Sequence, residues 1–165
     1  MKILALDLGS HLGVAWREIW GVRAQAIQLP AGGGQHGFRC VEFLRELRAT
    51  LQILRPDVVA YEGLLPKLSG YAARCLYGLE AILLSECGVA GVPCRSIELH
   101  AVKQAMTGES TASKQRVKDG AAELTGRWNL SEDEADAIGV LLAAEALPAD
   151  AWGDDACCVA TETKP

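Results

Sequence analysis

Two short apolar runs, each ending in an acid with a glycine close behind, constrain this chain most. Residues 3–6 are apolar and end at Asp7, and residues 58–61 are apolar and end at Glu62. Uncharged runs of this length are typical of strands that are covered on both faces of a sheet. Acids at the ends of such strands indicate a ligand site at the carboxyl edge of an α/β sheet. The alternative is that Asp7 caps a turn and Glu62 marks where the chain reaches solvent.

Length and composition indicate a single globular domain. The chain has 165 residues, of which 50% are hydrophobic and 22% are charged. No apolar run approaches the ~20 residues of a membrane span, and Asp7 falls inside what would be the core of a signal peptide. The six cysteines form no C-x-x-C pair and have no histidine at zinc-ligand spacing. We therefore expect a cytoplasmic protein with free thiols and no membrane partner.

The net charge of −5 is unevenly distributed along the chain. Residues 131–165 contain nine acids and one base, which leaves 12 acids and 15 bases, or +3, in residues 1–130. The body of the protein is therefore mildly basic, and a DNA-binding face is compatible with this count.

The hydrophobic pattern predicts strands first and then helices that alternate with strands. The glycine-rich residues 30–34 are followed by no lysine or serine at P-loop spacing, so we expect a connecting loop and no nucleotide cofactor. The predicted fold is a three-layer α/β domain over residues 1–147, with a mixed five-stranded sheet flanked by helices. Residues 148–165 are expected to form a flexible C-terminal tail. The predicted strands are 3–6, 13–20, 22–29, 58–61 and 93–97, and the predicted helical segments are 38–54, 71–87, 100–106, 112–124 and 131–147.

The last predicted helix carries two more acids of interest. Ser131 and Glu134 form a capping box, so helix stability alone explains both of them. Asp133 and Asp136 are three residues apart and share one helix face. Because residues 137–144 carry no charge, the helix must be buried on nearly every side, and this acidic face would point inward.

Four carboxylates that converge without basic partners cannot all stay ionised, because like charges raise one another's pKa. A divalent cation would remove the conflict, and oxygen ligands without His or Cys favour Mg²⁺ or Mn²⁺ over zinc. Two such ions ~3.5–4 Å apart are the usual device for the attack of water on a phosphodiester.

Lysines near the last helix suggest a phosphate contact. Lys114 follows Ser113 in the first turn of a predicted helix, where the helix dipole disfavours a cation. A lysine at this unfavourable position indicates a role such as phosphate binding. Lys103 lies nearby in sequence, whereas Arg116 and Lys118 fit a solvated helix face.

Five segments in order resemble motifs of the RuvC Holliday-junction resolvases, in particular the shorter phage and prophage members. The resemblance spans residues 2–146. The segments are Asp7-Leu8-Gly9-Ser10, Val-Val-Ala-Tyr-Glu at 58–62, Val-Lys-Gln at 102–104, Ala-Ser-Lys at 112–114 and Glu-Ala-Asp-Ala at 134–137.

The resemblance implies a ribonuclease H-like fold, a homodimer and two-metal hydrolysis of DNA strands at a four-way junction. A dimer would make symmetric nicks from two sites related by a two-fold axis. By motif match, the metal ligands would be Asp7, Glu62, Asp133 and Asp136. The family's basic residues near the scissile phosphate would be Lys103 and Lys114, with Lys114 also catalytic, and further DNA contacts are expected from Ser10 and Lys67.

The chain also departs from the family pattern, and three alternatives stay open. Leu8 replaces a usual proline, and Leu65 stands where bacterial members often have an aromatic residue, so junction preference and cleavage sequence are not implied. The alternatives are a YqgF-type RNA-processing nuclease, whose first motif fits Gly-Val-Ala at 13–15, an actin-like or sugar-kinase ATPase, and a non-catalytic branched-DNA-binding module. The ATPase would need a second phosphate loop, and the four carboxylates argue against the inactive module.

Overall fold

The computed structural model describes residues 1–30, 36–64 and 69–152. The strands are β1 (Ile3–Asp7), β2 (His11–Glu18), β3 (Gly21–Gln28), β4 (Val58–Glu62) and β5 (Cys94–Ile97). The helices are α1 (His36–Leu54), α2 (Gly70–Ala90), α3 (Leu99–Thr107), α4 (Lys114–Thr125) and α5 (Glu132–Glu145), followed by a 3₁₀ turn, Ala149–Trp152.

The strands form one mixed sheet in the order β3-β2-β1-β4-β5. The first three strands make the expected antiparallel meander, while β1, β4 and β5 run parallel. Leu6 of β1 lies beside Tyr61 of β4, so the acids that follow them reach the same edge of the sheet.

Side-chain alternation along the central strands gives the sheet two buried faces. Leu4 and Leu6 point to one face and pack in a cluster that contains Phe43 of α1 and Leu79 of α2. Ala5 points to the other face, which is covered by α5 together with α3 and α4. The three-layer α/β architecture predicted from the sequence is confirmed.

Helix α5 is the central helix of the second layer. Residues of its uncharged stretch, including Ile138 and Leu141, are fully buried against the sheet. Small side chains at Ala15 and Ala60 let the helix lie close to the strands. Its apolarity therefore reflects burial in a protein core, and none of the helices in the described ranges is long and apolar enough to cross a bilayer.

Several boundaries differ from those expected. Strand β2 begins at His11, two residues early, and helix α2 continues to Ala90. At the C-terminus, the 3₁₀ turn buries Trp152 in the core of the second layer, and the Arg95 guanidinium donates to the Ala151 carbonyl. This turn lies past the domain limit expected at residue 147. The expectation of a flexible tail over residues 153–165 lies outside the described residues.

Three cysteines of the described ranges, Cys40, Cys75 and Cys87, are free thiols, as predicted. Cys75, Cys87 and Cys94 are buried, and Cys40 is partly buried. They serve as small apolar side chains in and around the core.

Candidate active site

The ends of β1 and β4 place two carboxylates side by side. In β1, Ile3 and Ala5 face α5, and in β4 Val58 and Ala60 do so. Side chains alternate along a strand, so the next residues on this face are Asp7 and Glu62. Both acids are partly buried, and they lie at the carboxyl edge of adjacent parallel strands, as the sequence predicted.

The first turn of α5 supplies the other two acids, and a capping box fixes it. The Ser131 hydroxyl accepts from the Glu134 amide at 3.1 Å, and the Glu134 carboxylate accepts from the Ser131 amide at 2.9 Å. Glu134 also accepts from the Arg127 guanidinium at 2.8 Å. These bonds hold the helix start in place, which sets the position of Asp133 and Asp136.

A glycine in β2 lets this helix start against the sheet. Gly13 pairs with Asp7 in the β1–β2 register. A Cβ atom at position 13 would lie 2.1 Å from the Asp133 carbonyl oxygen and 3.1 Å from the Asp7 Cβ atom. Sequence analysis assigned no site role to Gly13, although a glycine inside a strand is itself a signal of close backbone approach.

The electrostatics of the four acids show that they are near enough to repel one another. Burial, followed by repulsion from Glu62, Asp136 and Asp133, raises the pKa of Asp7 to about 8. Burial and repulsion from Asp136 raise the pKa of Glu62 to about 7. Burial also raises the pKa of Asp136, with repulsion from Glu132 and Asp133 adding to it.

The carboxylates are neighbours without being gathered around one point. Within residues 1–30, 36–64 and 69–152, no three His, Cys, Asp or Glu side chains form a ready metal-binding group. Mutual repulsion opposes such a cluster when no cation balances the charge.

Two lysines border the acids, as the sequence predicted. Lys114, at the start of α4, lowers the pKa of Asp7, Glu62 and Asp136. Lys103, on α3, lowers the pKa of Glu62 and of Asp136. Both ammonium groups are thus close enough to interact with the carboxylates.

Lys114 also has a partner that sequence reasoning missed. Its Nζ atom lies 3.1 Å from Oε2 of Glu132 in the first turn of α5. The unfavourable position of Lys114 in its own helix is therefore offset by an ion pair, and a phosphate contact is not needed to explain it.

Four other residues that the sequence analysis discussed are exposed or lie outside the described residues. Ser10 is exposed in the turn between β1 and β2, where its carbonyl accepts from the Leu29 amide at 2.9 Å. Arg116 pairs with Glu123 on the surface of α4 at 3.8 Å, which agrees with a solvated face. Lys67 and Leu65 lie outside the described residues.

Comparisons of the sequence and of the structure with known proteins find relatives of the same kind. No family model matches the chain. The crossover junction endodeoxyribonuclease RuvC of Syntrophomonas wolfei subsp. wolfei is 28% identical over 150 residues, which cover 86% of this chain and 87% of that protein.

Solved structures of the same fold include RuvC of Thermus thermophilus, alone and in complex with a Holliday junction substrate. The first has a TM-score of 0.69 at 22% identity and covers 87% of this chain and 92% of that one. The second has a TM-score of 0.72 at 21% identity, with 87% and 91% covered. The yeast mitochondrial Holliday junction resolvase Ydc2 follows with a TM-score of 0.60 at 15% identity, covering 86% of this chain and 76% of that one. The chain is therefore RuvC-like, both in sequence over most of its length and in the fold of its described residues.

Proposed function

We propose that this protein is a metal-dependent, structure-selective endodeoxyribonuclease that resolves Holliday junctions and related branched DNA by paired symmetric nicks. The observation that supports the proposal is that Asp7, Glu62, Asp133 and Asp136 lie close enough at one edge of the sheet to repel one another, which raises the pKa values of three of them. The relatives support the choice of substrate: one is named a crossover junction endodeoxyribonuclease, one is a RuvC in complex with a Holliday junction substrate, and one is named a Holliday junction resolvase.

The four carboxylates would hold the metal, and their donor chemistry fits Mg²⁺ or Mn²⁺. All are hard oxygen ligands, and the raised pKa values of Asp7 and Glu62 reflect burial and a negative charge that a divalent cation would balance. Two ions per site match a set of four acidic ligands. When bound, such ions lower the pKa of a water nucleophile and offset charge on the phosphate.

Residues beside the carboxylates would bind the DNA backbone. Lys114 and Lys103 each lie near the acids and would each contact a phosphate oxygen, with Lys114 next to the reacting group. Because Lys114 is 75% exposed in its ion pair with Glu132, its ammonium can turn toward a phosphate at small energetic cost. Ser10 and Lys67 are proposed as further DNA contacts.

Paired nicks require two active sites, and we propose that a homodimer supplies them. The layer formed by α1 and α2 leaves large apolar side chains exposed, namely Phe38, Val41, Tyr71 and Val89. A second copy related by a two-fold axis would cover such a surface and present two equivalent sites to the junction. The reaction takes place on DNA in the cytoplasm of a bacterial or phage-infected cell.

The experiment that tests this function uses end-labelled synthetic four-way junctions beside matched linear duplex and RNA–DNA hybrid, with Mg²⁺, Mn²⁺ or EDTA. We expect symmetric paired nicks in the junction only, and no cutting in EDTA. Cutting of the hybrid with an intact junction would instead assign the protein to RNA processing. The Gly-Val-Ala match to that alternative has a packing explanation here, since Gly13 adjoins Asp133.

A further inference from the structure

A cleft of about 670 Å³ opens beside the four carboxylates, between the end of β4, helix α2 and the β5–α3 connection. Its lining mixes apolar and polar side chains and includes Gly63, Tyr77, Glu80, Ser96, Glu98 and Lys103. None of the proposed metal chemistry uses this cleft.

The cleft and the carboxylates are joined directly. Gly63 follows Glu62, and its amide donates to the Ile97 carbonyl at 2.8 Å. Position 63 also adjoins a residue of the cleft wall, since a Cβ atom there would lie 3.6 Å from the Ser96 Cβ atom. Lys103 borders both spaces, because it lines the cleft and also lowers the pKa of Glu62.

One wall of the cleft has the groups that bind a planar base. Tyr77 and Glu80 lie three residues apart on α2 and share a helix face. The Tyr77 side chain is 45% exposed, which leaves a ring face for stacking. The Tyr61 hydroxyl donates to Oε1 of Glu80 at 3.0 Å and holds the carboxylate in place.

The two carboxylates in the lining favour a base over a phosphate. Glu80 and Glu98 both face the cleft, and Glu98 lies 3.0 Å from the His100 ring. Carboxylates repel the DNA backbone, but they accept hydrogen bonds from exocyclic amino groups of bases. Oε2 of Glu80 has no donor among the described residues, and it is the acceptor available to such a group.

We infer that this cleft receives the unstacked base of the nucleotide next to the scissile phosphate, and that it favours a base with an exocyclic amino group. The inference rests on the proposed function, because the carboxylates must hold that phosphate. Stacking on Tyr77 and a hydrogen bond to Glu80 would then set a cleavage sequence preference. An unpaired or strained base at a branch point is the least costly to unstack, which links this site to junction substrates.

The test compares single-turnover cleavage within two series of junctions, one for the base on each side of the scissile phosphate. Each series has five junctions, with the four bases and an abasic site. Wild type should cut adenine, cytosine or guanine junctions about 10-fold faster than the thymine junction. The abasic junction should be slower by between about 5-fold and about 150-fold, the range of one stacked base. Tyr77→Ala should lose a similar factor, and Tyr77→Phe should restore it.

Glu80→Gln is the sharpest variant. Glutamine keeps an oxygen that accepts from Tyr61 but replaces the free acceptor with an amide donor. The preference should therefore shift toward thymine, which offers a carbonyl oxygen at that edge. Far-UV circular dichroism should confirm that Glu80→Gln folds like the wild type.

The outcomes separate this inference from the proposed function. A base preference in wild type that Glu80→Gln and Tyr77→Ala leave unchanged would overturn the cleft as its source. Equal cutting of all five junctions in both series would also overturn it, while leaving the resolvase assignment intact. Absence of cleavage on every junction would overturn the proposed function and the inference together.

Discussion

The backbone of Asp133 rests on Gly13, so closely that a Cβ atom at position 13 would lie 2.1 Å from the Asp133 carbonyl oxygen. The contact joins the start of α5 to β2, directly opposite Asp7 in the sheet register. The spacing between the two pairs of carboxylates thus depends on one missing methyl group in a strand that carries no acid of the site.

Gly13→Ala should therefore damage the site more than the fold. The added methyl group must push the first turn of α5 away from β2, because the atoms it meets first belong to the Asp133 backbone, which cannot move without the helix. We expect a destabilisation of about 1–3 kcal/mol and a cleavage rate reduced by at least about 10-fold. Urea denaturation and single-turnover cleavage measure the two effects.

Gly21→Ala is not a neutral control for that variant, because Gly21 has a φ of +131°. Gly37→Ala is better matched, since a Cβ atom there meets nothing within 4 Å and the glycine is exposed near the start of α1. Gly13→Ala with wild-type cleavage would show that the contact does not position Asp133.

Asp136→Asn should abolish cleavage and retain both the fold and junction binding. The asparagine is nearly isosteric, but it lacks the charge needed to hold a divalent cation. Gel-shift affinity with Ca²⁺ and cleavage with Mg²⁺ give the two readouts, and Glu123→Gln on the outer surface of α4 is a matched control. Cleavage retained by Asp136→Asn in the presence of metal would contradict the assignment of this carboxylate.

Asp7→Asn should stabilise the metal-free protein above neutral pH. The pKa of Asp7 is raised from 3.8 to about 8, so the folded state binds its proton more tightly than the unfolded state does. The stability contributed by the protonated form is complete below pH 3.8 and is lost as the pH rises through 8. The variant should thus exceed wild type in Tm at pH 8.5, with the gap closing toward pH 4.

Thermal melts in EDTA across that pH range measure this effect, at roughly 2–4 °C for each kcal/mol in a domain of this size. Added Mg²⁺ or Mn²⁺ should raise the Tm of wild type, and it should raise that of Asp7→Asn less. A Tm difference that does not change with pH would contradict the raised pKa of Asp7.

Lys114→Ala should slow cleavage more than it weakens binding. Its ammonium lies near Asp7, Glu62 and Asp136, where charge develops on a reacting phosphate. Loss of such a donor reduces a rate by on the order of 10²-fold, whereas one phosphate contact among many changes affinity little. Lys118→Ala on the same helix is the control. A fall in affinity with an unchanged single-turnover rate would reduce Lys114 to a positioning contact.

Local patterns in the sequence were sufficient to predict the layers and the elements that carry the four acids. The apolar runs before Asp7 and Glu62 identified buried parallel strands, because a strand that is covered on both faces has apolar side chains at successive positions. The charge-free stretch after Asp136 identified a buried helix for the same reason. The capping box at Ser131 marked where that helix begins, and the structure has it there. Each of these signals is confined to fewer than about ten consecutive residues.

What only the tertiary structure decided concerns residues that are distant in sequence. Lys114 and Glu132 pair at 3.1 Å, and Trp152 closes the core beyond the expected end of the domain. Neither follows from periodicity, because each depends on how two elements meet in space. The role of Gly13 is of the same kind: a glycine in a strand signals close approach, but only packing shows that the approaching backbone is that of Asp133. Sequence determines which faces must be buried, whereas the distances between buried faces are set by the side chains that meet there.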